Sequence, residues 1–155
     1  MLLMLVTGCM SNSEPTKEQQ AINEAEDEET NFTFIKDDYG FDLGLKVPDV
    51  NTVNMAIGDD YHEEHVDNQA IYYNDDIKIF VEDQEVVKAE LYTDLYTVGF
   101  DIAQVGDSKE DISDSYDLKE TKNINQYYAL NVTNRKKLIF DFENDKIIKI
   151  TQEYN

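Results

Sequence analysis

Few residues in this chain are equipped to do chemistry. It has one cysteine, Cys9, and two histidines, which stand together in His62-Glu63-Glu64-His65. A thiolate is a nucleophile. Imidazoles beside carboxylates can hold a metal or move protons. The zinc-peptidase pattern separates its two histidines by three residues on a helix. Here two residues intervene, in a stretch predicted as a loop. Ser108, Ser113 and Ser115 lie in polar helix or cap positions with no histidine nearby in sequence. Asp37-Asp38 and Asp75-Asp76 lack the glycine and closing glutamate of a calcium loop. The expectation is therefore no catalytic residue, no metal site, no cofactor and no enzyme. The alternative is a hydrolase or metal-dependent enzyme that uses the His62/His65 loop.

Cys9 closes the run Leu5-Val6-Thr7-Gly8-Cys9, where an apolar start turns polar. That run resembles a bacterial lipobox: an aliphatic residue at −3, two small residues, then cysteine. The resemblance implies a diacylglycerol thioether on Cys9, cleavage before it and fatty acylation of the new N-terminus. Residues 1–8 then read as the remnant of a signal peptide. A signal peptide carries a basic start and an apolar stretch of roughly 7–15 residues. Met1 to Val6 is short and no basic residue precedes it, so the true start is expected upstream. The chain is expected at the cell membrane, lipid-anchored on its extracytoplasmic face. Two or three acyl chains hold firmly where one does not.

Charge sets the choice of partner. The 155 residues include 34 acidic and 13 basic ones, for a formal net charge of −21. Phosphate backbones would be repelled, which excludes nucleic acid. A basic protein partner would be steered in. Residues 9–31 read as a disordered acidic tether, with Glu24-Ala25-Glu26-Asp27-Glu28-Glu29 as a self-repelling block. The folded part is expected to be a single domain over 32–155, made of two repeats at about 40–94 and 99–155.

The repeats rest on two ordered matches. Gly40-Phe41-Asp42-Leu43 recurs as Gly99-Phe100-Asp101-Ile102, and the segment 77–88 has a counterpart at 138–149. Each copy predicts one helix. Asp49 precedes Val53 and Ile57 in the first, with Gly58 as a stop; Ser108 precedes Ile112 and Tyr116 in the second. Strands are predicted over 70–73, 77–82 and 85–92, then over 126–132, 137–143 and 146–153. Alternation puts Ile77, Ile79 and Val81, and likewise Leu138, Phe140 and Phe142, on a buried face. Val87 and Ile148 are expected to face inward on the returning strands. The fold class expected is α+β: two tandem repeats of one helix packed on an antiparallel meander sheet.

The segment Val105-Gly106-Asp107-Ser108-Lys109-Glu110-Asp111-Ile112, with the tyrosine-rich strands and closing hairpin that follow, resembles the repeat of the CAP-associated domain of Gram-positive secreted proteins. It is also similar to the helix-plus-sheet unit of beta-lactamase-inhibitor-protein-like and BamE/SmpA-like folds. The Gly-Pro step frequent after the helix in those repeats is absent. What the resemblance implies is a binding module rather than an enzyme.

Aromatic residues supply the candidate surface. Tyr72-Tyr73 and Tyr127-Tyr128 are adjacent pairs in predicted strands, so one of each must leave the core. Phe80 and Ile139 also point away from the buried rows. Together they predict an aromatic, acid-rimmed outer sheet face that binds a protein partner, in a membrane-anchored binding or regulatory module.

Overall fold

The computed structural model describes residues 31–155; Cys9, the lipobox and the tether as far as residue 30 lie outside the described residues. An eight-stranded antiparallel sheet dominates, in the order β3-β4-β5-β6-β12-β11-β10-β9. Its strands are β3 (His62–Val66), β4 (Gln69–Tyr73), β5 (Ile77–Glu82), β6 (Glu85–Leu91), β9 (Lys119–Glu120), β10 (Gln126–Asn131), β11 (Lys136–Glu143) and β12 (Lys146–Tyr154). A smaller sheet, ordered β2-β1-β7-β8, is made from β1 (Phe34–Lys36), β2 (Tyr39–Phe41), β7 (Thr97–Val98) and β8 (Ala103–Gln104). Two helices, α1 (Val50–Ile57) and α2 (Lys109–Ser113), complete the described residues.

The expected α+β class is thus corrected. Among the described residues 48% are strand and 10% helix. α1 has eight residues and α2 five, too few to form a covering layer. Their local signals are sound: Asp49 caps α1, and Ser108 with Asp111 forms a capping box on α2. Capping fixes where a helix begins but cannot lengthen it. The covering layer comes largely from the small sheet, whose Phe34, Phe41, Val98 and Ala103 join Val53, Ile57 and Ile112 in one core.

That core lies on the inner face of the large sheet. Ile77, Ile79, Leu138 and Phe140 are all at most 1% exposed, so the rows read from alternation do face inward. On the returning strands Ala89, Leu91, Ile150 and Gln152 face inward as alternation predicts, and only the residues next to the hairpin turns are displaced by one. β-bulges interrupt the register between Phe80 and Val81 and between Asp141 and Phe142. They turn Val86 and Ile147 inward and leave Ile148 47% exposed, which corrects the inward placement of Val87 and Ile148. The hairpin turns next to them hold Asp83-Gln84 and Asn144-Asp145 at positive φ, the backbone that two-residue hairpins require.

The matched tetrapeptides do not occupy equivalent places. Gly40-Phe41 lies in β2 with Phe41 in the core, and Asp42 follows it; Gly99-Phe100-Asp101 forms the β7–β8 turn, with Phe100 73% exposed. In the small sheet the partner of Phe34 on one side is Phe41 and on the other Val98.

Polar contacts fasten the small sheet to the large one. Gln152, fully buried on β12, donates to the Phe32 carbonyl at 2.5 Å and to Asp42 Oδ1 at 2.6 Å. Lys136 on β11 donates to the other Asp42 oxygen. Burial raises the Asp42 carboxyl above its usual value, against the donation from Lys136 and Leu43 that lowers it. Tyr116 Oη donates to the Asn31 carbonyl at 2.6 Å, and Tyr96 Oη to the Ala56 carbonyl at 3.0 Å.

Candidate functional site: the outer face of the large sheet

The face of the large sheet opposite the core is built by register. One cross-strand row runs Tyr73, Lys78, Glu90, Thr151, Ile139, Tyr128 across β4 to β10. The next row contains Ile71, Phe80, Lys88, Glu153 and Lys137. Successive strand residues point to opposite faces, so Tyr72 and Tyr127 turn inward while Tyr73 and Tyr128 turn out. Tyr72 meets Tyr61 edge-on at 5.8 Å and Tyr127 meets Phe142 at 5.7 Å, both against the core. Of the predicted surface residues, Tyr73, Phe80, Tyr128 and Ile139 therefore share the outer face. None of these four joins the core cluster.

The rim expected to be acidic is instead studded with lysines. Lys88 Nζ lies 2.6 Å from Glu90 Oε1 and 4.8 Å from the centre of the Phe80 ring. Lys78 Nζ sits 5.4 Å from that ring and 5.5 Å from the Tyr73 ring. Lys137 pairs with Glu153 at 3.0 Å beside Tyr128, and Lys149 with Asp141 at 3.0 Å. Burial pushes the Glu90 carboxyl up, but donation from Lys88 and from Tyr92 Oη at 2.5 Å outweighs it, and the group sits below its usual range. The result is a flat platform whose charges cancel locally, in a chain of net charge −21. Alternation in the sequence carries the signal: Lys78-Ile79-Phe80 and Lys137-Leu138-Ile139 each set a lysine two residues from an outward apolar side chain.

The histidines fall on an exposed edge strand, β3, rather than in a loop. His62 stands opposite Tyr73 on the outer face, with ring centroids 5.5 Å apart. His65, opposite Ala70, points to the other face and meets Glu63 Oε1 at 2.8 Å. Three residues apart in a strand, the two imidazoles cannot share a ligand. No group of three or more His, Cys, Asp or Glu among the described residues is placed to hold a metal ion. A shallow hollow beside His62, about 130 Å³, is lined by Asp60, Tyr73, Asn74 and Asp75 without His65.

No helix among the described residues is long and apolar enough to cross a membrane. No family model and no curated protein matches the chain. In shape it is similar to the 1.5 Å crystal structure of an extracellular protein containing an SCP domain from Bacillus anthracis str. Ames, at a TM-score of 0.49 and 15% identity. The likeness covers 78% of this chain and 49% of that one, so the chain spans about half the length of that protein. The likeness assigns no residue a role.

Proposed function

We propose that this chain is an extracytoplasmic protein-binding or regulatory module, held at the cell membrane by lipid on Cys9, that works by contact through the outer face of its large sheet. One observation carries the reading: Tyr73, Phe80, Tyr128 and Ile139 stand on a face remote from the core, among lysines whose charge offsets the local carboxylates. A charge-balanced aromatic patch meets a partner without the repulsion that the rest of the chain imposes. Aromatic anchors on a rigid sheet lose little entropy on binding. A lipid anchor and tether would raise the local concentration near membrane proteins. The two histidines, which a rival enzyme reading would use together, stand on opposite faces of β3.

Photo-crosslinking from position 139 tests the contact. A photoreactive residue there should yield a discrete protein adduct in membranes, and one at exposed Val132 should not. The same adduct from both positions would defeat the proposal. Metabolic labelling with a fatty-acid analogue tests the anchor: label should enter the parent chain and be absent from Cys9→Ala.

A further inference from the structure

A second surface lies on the outward side of the small sheet and does not rest on the reading above. There β1 is flanked by β2 and β7, and the outward row runs Gly40, Ile35, Thr97. Leu95 and Phe100 rise beside this row, 55% and 73% exposed, and enclose a trough of about 430 Å³. Asp37, Asp38 and Asp101 stand on its rim, and among the described residues no lysine or arginine lines it. The nearest candidate, Lys36, turns the other way and donates to the Ile57 carbonyl at 3.0 Å.

Two features shape the trough. Gly40 sits within a strand without a positive φ, so its backbone does not require glycine. Glycine weakens a strand and often marks a place where another chain approaches closely. A Cβ there would stand in the trough, 3.2 Å from Thr33 Cγ2. Phe100, at the β7–β8 turn, has φ of +46°, a conformation that is an outlier for a bulky residue. It nevertheless places a large apolar ring in solvent. Such strain tends to be kept at binding sites.

We infer that this trough binds an extended, basic segment of another protein. An apolar side chain of that segment lies over Ile35 against Phe100, and flanking lysines or arginines meet Asp37, Asp38 and Asp101. The apolar floor calls for an apolar side chain, and three rim carboxylates with no lysine or arginine lining the trough beside them among the described residues call for cations on either side of it.

Fluorescence anisotropy with a labelled peptide of alternating lysine and leucine, titrated with the full chain, tests the inference. Neutralising the rim (Asp37→Asn, Asp38→Asn, Asp101→Asn) should weaken binding by about tenfold or more. A control that removes the same charge at remote hairpin turns (Asp67→Asn, Asp83→Asn, Asp145→Asn) should weaken it far less. Phe100→Asn should lose binding while melting no lower than the parent, because asparagine tolerates the left-handed backbone. In the parent, the peptide should shift the amide resonances of Ile35 and Thr97. Equal losses in the two triple variants would mean that net charge alone attracts the peptide. That result overturns the inference, as does parent-like affinity in Phe100→Asn or amide shifts that miss Ile35 and Thr97.

Discussion

The two exposed faces of this molecule back onto one core and differ in almost every other respect. The outer face of the large sheet is broad, flat and charge-balanced, with lysines over its aromatic rings and ion pairs across its strands. The outward face of the small sheet is narrow and concave, with an apolar floor, a strained phenylalanine and carboxylates that no lysine among the described residues answers. Strand length accounts for the contrast. Seven of the eight strands of the large sheet have five to nine residues and place several side chains in each outward row, so ladders of opposite charge can form. Strands of two and three residues leave one row, and the connecting turns supply the walls.

The largest expected effects come from what joins the two faces. Phe140→Ala should cost about 3 kcal/mol in urea unfolding, because Phe140 is fully buried in the shared core. Asp42→Ala should cost about the same, since it leaves Lys136 charged and nearly buried without its partner. A cost near zero for Asp42→Ala would mean that the two sheets hold together without this link. Next comes Asp49→Ala, which removes the cap from α1 and should cost about 1 kcal/mol.

Smaller effects should separate the faces. On the flat face, Glu90 has a folded pKa below its unfolded value. Its contribution is therefore present above the unfolded pKa and lost as pH falls through the depressed one. Glu90→Gln should shrink the loss of stability on acidification below about pH 4.5, the unfolded carboxyl range, seen in urea midpoints across pH. On the concave face, Phe100→Asn should relieve about 1 kcal/mol or less of strain and so raise the melting temperature slightly. A clear fall in that melting temperature would show that Phe100 packs rather than presents itself.

The large sheet was legible because long strands alternate. Ile77, Ile79, Leu138 and Phe140 could be assigned inward from period alone, and the turn residues Asp83-Gln84 and Asn144-Asp145 marked the hairpins. The bulges that follow were not, since one added residue swaps Val86 for Val87 and Ile147 for Ile148 without a change in composition. Strand β3 was hidden because an edge strand exposed on both faces has no apolar period to show. The small sheet was hidden by brevity: Thr97–Val98 and Ala103–Gln104 are too short to alternate. The tetrapeptide match also misled, because Gly99-Phe100-Asp101 is a turn whose aromatic faces solvent. At the flat face, alternation required one tyrosine of each pair to leave the core, but only register showed that Tyr73 and Tyr128 are those residues and that both lie in one row with Ile139.

The central claim is that the outer face of the large sheet is a contact surface and not part of the fold's support. It is tested most directly by replacing Phe80 and Ile139 together with lysine, then measuring the urea midpoint and the capture of membrane partners by photo-crosslinking from position 73, in the same outer row as Ile139. The account predicts a folded protein with a midpoint near that of the parent and no capture of the parent's partners. Unfolding of the variant, or capture of the same partners at low salt, would contradict it.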